Sequence, residues 1–442
     1  MVARQDDRWP LSAAQHGIWL GQQLAPESPV YNAGECIEIP GRLDLAAFEA
    51  AVRQAVSEAE ALHMRFSSEA DGPRQRLDPS PDWPFHHIDV SAAQDPWSAA
   101  HAWMREDLGS PADLARGPLF TEALFTAAAD RFFWYQRAHH IALDGFGFSL
   151  VARRVAEVYT ARIEGRPSAG GAFGSLRHVV EEDLAYRASP ELERDRAFWS
   201  RRFADRPEPV SLSDRPSLMS PDSLRQTAFL APSSVERMQA AARGAKATWP
   251  DVVVAATAAY MHRLTGAPEV VLGLPVMGRL GSVSLRVPGM VMNIVPLRVP
   301  VRPGASLSDL ARQVAEELRT LRPHLRYRYE QLRRDLRLIG GDRRLFGPVV
   351  NIMPFDYDLR FAGQRAVAHN ISAGPVEDLS IGVYARSDGR GPRLDFDANP
   401  ACYGADELAA HQRRFLGFLE ALAAAPEQAI DRAELDLPRA TA

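Results

Sequence analysis

The chain has only two cysteines, Cys36 and Cys402, far apart and without a CxxC spacing. A disulfide-stapled scaffold is excluded, and a reduced, cytoplasmic protein is expected. No apolar run approaches membrane-spanning length, and the opening MVARQDDRWPLSAAQ lacks the apolar core of a signal peptide. An excess of basic charge is also missing: the net charge is −5 and the pI about 6.2, which argues against nucleic acid as a partner. The exception, Arg319 to Arg344, alternates with Leu and Tyr and reads as the solvated side of helices. Nothing repeats at a short fixed period.

What remains is ordinary globular material, 46% hydrophobic and 24% charged. At 442 residues the chain is long for one core. Two domains of about 200 residues each are expected.

One stretch concentrates polar side chains in an apolar setting: FFWYQRAHHIALDGFGFSL, Phe132 to Leu150. Phe132 to Ala138 reads as a strand. From Phe146 the pattern turns helical, with Phe148, Val151, Val155 and Val158 on one face. The junction holds His139, His140 and Asp144, followed by Gly145. Successive strand side chains point to opposite faces, so one histidine should face the core and the other a cavity. A carboxylate here is more often a tether than a base and needs an Arg or N–H partner if buried. Gly145 lets the backbone pass tightly or take positive φ. A metal site is the rival reading, but it needs a third ligand. The candidates for it, His63, His86, His87, His101 and His369, are scattered.

The HHxxxDG pattern of residues 139–145 resembles the signature of the condensation domains of nonribosomal peptide synthetases, in which an amine attacks a carrier-bound acyl thioester to form an amide. Further motifs agree to different degrees. Leu11 to Leu20, LSAAQHGIWL, is similar to the family's first motif, and Ser12 or the preceding turn is expected to cap a helix there. Glu60 to Phe66 stands where the second motif usually begins Arg-His and carries Leu-Arg-Thr; Glu58-Ala59 and His63-Met64 replace those pairs. Trp199 matches a Tyr/Phe-Trp pair. Gly273 to Arg279, with Met292-Asn293-Ile294 in place of Val-Asn-Thr, resembles the fifth motif. The sixth is matched in outline only, by a strand over Leu345 to Ile352, with Gly341-Asp342-Arg343-Arg344 where Arg-Asp-x-Ser-Arg is usual. Tyr327 to Leu338 reads as a helix. With YQRAHHIALDGF and AGPVEDLSI, the variant looks closest to the branch of the catecholate-siderophore synthetases, where the donor is an aryl acid.

The resemblance implies an α/β fold: two chloramphenicol-acetyltransferase-like lobes in a V, mixed sheets with flanking helices, and an active site on a channel between them. Composition puts the boundary between Ser175 and Arg206. The N-terminal lobe is taken as residues 1–180, carrying HHxxxDG, and the C-terminal lobe as 181–442, carrying Arg279 and Asn293. The resemblance further implies that His140 is the catalytic imidazole. His139, Asp144, Gly145 and Arg279 are structural, Asp144 pairing with Arg279 across the lobes, and Asn293 lines the channel. No metal and no cofactor are expected. The donor arrives on the phosphopantetheine arm of a peptidyl or aryl carrier protein, and the acceptor is an amine or an alcohol. The alternatives are an epimerase or simple O-acyltransferase of the same superfamily, and a non-catalytic module that recruits carrier proteins. His139 excludes the cyclising variant, which has Asp there. Met1 lies close before the first motif and ELDLPRATA ends the chain, so a free-standing enzyme is expected, with an excised domain as the rival.

Overall fold

The computed structural model describes residues 8–79, 82–168, 173–215, 220, 222–338, 344–354, 357–386 and 388–435. The chain divides into two compact units. Unit 1 comprises residues 1–190, 277–292 and 357–374; unit 2 comprises 191–276, 293–356 and 375–442. Both differ from the expected 1–180 and 181–442. The first boundary falls at Pro190, and Arg279 belongs to unit 1 rather than to a C-terminal lobe, because two later segments pack with the N-terminal residues.

Unit 1 is built on a five-stranded mixed sheet. Its order is Val367–Ala373, Asn32–Pro40, Arg131–His139, Phe120–Ala128, Phe85–Asp89. All pairings are antiparallel except the last. Strand Arg131–His139 is central and buried on both faces, which explains its run of aromatic residues. On one face Trp134 meets Phe48 of helix Leu45–Glu58 edge to face, with ring centroids 5.5 Å apart. On the other, Phe133 and Tyr135 pack with Cys36, Ala100, Met104 and Phe125. The first motif forms helix Ala13–Leu24, with Ser12 and Gln15 closing a reciprocal capping box.

Unit 2 carries a six-stranded mixed sheet ordered Asn293–Pro300, Glu269–Val276, Val349–Met353, Leu379–Tyr384, Arg393–Ala398, Leu224–Phe229. Helix Trp249–Thr265 is apolar around most of its circumference and lies buried in the core with Phe396, Phe415 and Leu419. Two elements are shorter than their patterns suggest. The helix expected over Tyr327 to Leu338 spans Tyr329–Asp335. The strand expected from Leu345 begins at Val349; Pro348 offers no N–H to a ladder, though the Gly347 N–H and the Pro348 carbonyl already bond Val271 and Gly273 of strand Glu269–Val276. Gly341, Asp342 and Arg343 lie outside the described residues.

Candidate active site

Strand Arg131–His139 ends at His139, and helix Gly145–Ile163 starts six residues later. The five residues between them fold back through backbone bonds from Ala142 and Leu143 to the His139 carbonyl, 2.8 and 3.4 Å long. The turn fixes the directions of both imidazoles.

His139 is buried. Its Nδ1 accepts the Ile141 N–H at 3.1 Å, so Nε2 carries the proton and donates to Gln22 Oε1 at 3.0 Å. Gln22 is locked in turn, because its Nε2 donates to the carbonyls of Ala25, Pro26 and Ser28. Burial pushes the His139 pKa down to about 3, and the charges of His140 and Arg137 add to the effect. His139 is a neutral strut.

His140 is half-buried. Its Nδ1 lies 2.9 Å from the Leu143 carbonyl and its Nε2 3.1 Å from the Ala373 carbonyl. Its backbone N–H donates to Tyr31, so the ring is held from a fixed main chain.

Asp144 caps the helix, accepting the Gly147 N–H at 2.8 Å on Oδ1. Arg279 Nη2 lies 2.8 Å from both carboxylate oxygens, and Oδ2 also accepts the N–H groups of Val291 and Met292 at 3.0 Å. Both side chains are excluded from solvent, at 0% and 2% exposure. Arg279 also donates to the carbonyls of Ser284, Val287 and Gly289 and stacks its guanidinium over Phe146. The pair expected to meet across two lobes lies within unit 1, since residues 277–292 belong to it.

Two expected roles change. Gly145 has no positive φ, and nothing lies within 4 Å of the place a Cβ would take, so its lack of a side chain is not required there. The tight position is Gly147, where a Cβ would meet Leu143 at 3.0 Å and the Gly289 backbone at 3.2 Å. Asn293, expected to line a channel, is buried in unit 2. Its Nδ2 donates to the Leu325 and Tyr327 carbonyls and its Oδ1 accepts from Ile294 and Tyr329, so the whole amide ties one backbone turn.

Sequence reasoning missed Gln22, Ala373 and Gly147. It also missed the reciprocal Gln15–Gln75 amide pair, with bonds of 3.0 and 2.8 Å, beneath the Ile141 carbonyl. Among the described residues no three His, Cys, Asp or Glu side chains gather as a metal ion would need. His63, His87 and His369 are engaged by the Val56 carbonyl, Glu49 and Glu38. No described helix is long and apolar enough to cross a membrane.

Comparison with known proteins decides what this arrangement belongs to. A family model described as "Condensation domain" matches residues 5–441. The chain is a member of the condensation domain family. Condensation domains form amide bonds in nonribosomal peptide synthesis, and this chain has their chloramphenicol-acetyltransferase-like fold. It is 53% identical to a dimodular nonribosomal peptide synthase of Bacillus subtilis, over 99% of this chain and 18% of that protein. It is 52% identical to an isonitrile lipopeptide synthase of Streptomyces coeruleorubidus, over 96% and 29%. The chain thus spans less than a third of the length of these two relatives. Enterobactin synthase component F of Escherichia coli, from the catecholate branch, is 32% identical over 97% of this chain and 33% of its own length. Among solved structures, a variant of the starter condensation domain of rhizomide synthetase in complex with C8-CoA and Leu-SNAC superposes with a TM-score of 0.92. It is 44% identical, over 98% of each chain. The first condensation domain of the calcium-dependent antibiotic synthetase superposes with a TM-score of 0.92 at 39% identity, over 97% of this chain and 99% of that one.

Proposed function

We propose that this condensation domain joins an acyl group, delivered as a thioester on a peptidyl or aryl carrier protein or as a coenzyme A thioester, to the amine of an aminoacyl acceptor. The acceptor nitrogen attacks the thioester carbonyl carbon, the C–S bond breaks, and the amine proton passes through His140 to the departing sulfur. The observation that carries this reading is the geometry of His140. Its Nδ1 has a carbonyl acceptor at 2.9 Å inside the same turn, and with the ring hydrogen on that nitrogen Nε2 carries the lone pair that acts as the base.

The thioester is already activated, so no metal and no cofactor of the domain's own is required. Alignment of the two substrates accounts for up to about 7–11 kcal/mol. A positioned base adds roughly a hundred- to ten-thousandfold. Asp144, Arg279 and His139 hold the turn and do not touch substrate. Similarity to a starter condensation domain solved with C8-CoA favours a fatty acyl donor that opens a chain. The test is mass spectrometry of products after mixing the domain with octanoyl-CoA or a benzoyl thioester and either leucyl-N-acetylcysteamine thioester or a hydroxy-acid analogue. The acyl-leucyl amide is expected. Ester alone, or no product with any pair, overturns the reading.

A further inference from the structure

We infer that the backbone carbonyl of Ala373 is a positioning group for the proton transfer, set in place by Ser372 and Gly374; this rests on the role proposed for His140. The segment owes its course to a local irregularity. Strand Val367–Ala373 pairs with Asn32–Pro40 as Asn370↔Glu35 and then Ser372↔Gly34, so Ile371 is an extra residue in a bulge. A bulge bends its strand and re-aims the residues beyond it. Here the register ends with Ala373 opposite Ala33 and the Ala373 carbonyl 3.1 Å from His140 Nε2.

Two neighbours hold that carbonyl. The Ser372 hydroxyl donates to the Asn32 carbonyl at 3.3 Å and accepts the Gly374 N–H at 3.3 Å, tying the strand end to the adjacent strand. Gly374 has φ +86°, which L side chains rarely adopt. A Cβ there would lie 2.6 Å from His140 Cδ2 and 2.8 Å from Nε2. Only glycine lets the main chain lie this close against the ring.

The consequence concerns hydrogen count. A neutral imidazole has one N–H, and both ring nitrogens face carbonyl oxygens. With the hydrogen on Nδ1 and bonded to Leu143, the Nε2 lone pair faces the Ala373 oxygen, an unfavourable approach of two acceptors that protonation turns into a hydrogen bond. Once Nε2 has taken the amine proton, the ring has two N–H groups and each has an acceptor. The second bond is then charge-assisted and about twice as strong as a neutral one. Ala373 therefore favours the protonated ring over the ring with its lone pair on Nε2, and such a difference between states is the condition for lowering a barrier rather than tightening binding. The proton then leaves Nε2 for the thiolate sulfur, and the neutral base is restored.

Four variants test this by steady-state amide formation and thermal unfolding. Gly374→Ala forces the His140 ring and the Ala373 carbonyl apart, because the added Cβ meets the ring. Gly363→Ala is the control, because Gly363 has φ +87° with nothing within 4 Å of a Cβ and so reports backbone strain alone. Gly374→Ala is expected to lower kcat on the order of tenfold to a hundredfold with both KM values within about threefold and an unfolding midpoint matching Gly363→Ala. Ser372→Ala should lower kcat less, and Ser372→Thr, which keeps the hydroxyl, should restore it. Unchanged kcat in folded Gly374→Ala, or a loss confined to KM, overturns the inference while leaving the base role intact. Full activity in His140→Ala instead removes the base role itself, so the two failures are distinguishable.

Discussion

Asp144 spreads four donors over two oxygens: the Arg279 guanidinium and the N–H groups of Gly147, Val291 and Met292. Deleting either partner leaves the other charge buried without its counter-ion, held by backbone groups. Asp144→Ala or Arg279→Ala should each lower stability by about 3–5 kcal/mol, read as a drop in the denaturant midpoint of purified protein. A change below about 1 kcal/mol would mean that water replaces the lost partner. His139 behaves differently, since it is neutral and its partners are neutral. Gln22→Leu removes the acceptor of its Nε2–H, at about 1–3 kcal/mol for a buried donor left unmet, and lets the neighbouring imidazole wander. Reduced turnover together with a lower midpoint is expected, and a normal kcat would show that the strut does not govern His140.

At the scale of elements, the local pattern was legible. The strand's aromatic run, the helical spacing from Phe148 to Val158, and the Ser12 cap all depend on neighbours within one or two turns. Strand alternation does not reach His140, which lies in the turn after the strand's last residue, whereas the need of Asp144 for a cation or N–H partner followed from burial. The supporting groups were not legible, for two physical reasons. Gln22 meets His139 across 117 residues and Ala373 meets His140 across 233, so no periodicity links them. Ala373 also acts through a carbonyl that every residue possesses. Gly147 shows the same limit: DGFG displays two glycines, and only the packing of Gly289 tells which one is needed. Gly147→Ala should therefore cost stability and Gly145→Ala nearly none beyond helix propensity, a contrast that thermal unfolding of the two variants resolves. Equal midpoints would contradict it.

For the whole molecule, the unit boundaries were the least legible feature, because a chain that leaves a unit and returns has no compositional mark at Met277 or Tyr357. Buried ionisable groups in unit 1 give its stability a pH signature. Burial pushes the Glu122 carboxyl up to about 8 and Glu35 up to about 7, with bonds from Trp134 and Tyr357 opposing the shift. The folded chain thus binds more protons than the unfolded one above the ordinary carboxyl range near 4.5. That stability is full below 4.5 and is lost as pH rises through about 7 to 8. His139, depressed from 6.5 to about 3, has the opposite sign: its contribution is present above 6.5 and is lost as pH falls toward 3. Glu122→Gln keeps an acceptor for Trp134 and removes one titration. Its unfolding free energy, measured by urea at a series of pH values, should decline less than wild type between pH 5 and 8, and parallel curves would refute the assignment.

The central claim is that His140 moves the proton in amide formation. Its most direct test is single-turnover acylation of leucyl-N-acetylcysteamine thioester by octanoyl-CoA, comparing wild type with His140→Ala at matched far-UV spectra and unfolding midpoints. The account predicts a rate lower by a hundredfold or more, roughly the contribution of a positioned base, with the fold unchanged. A folded His140→Ala protein that forms the amide at the wild-type rate would contradict it.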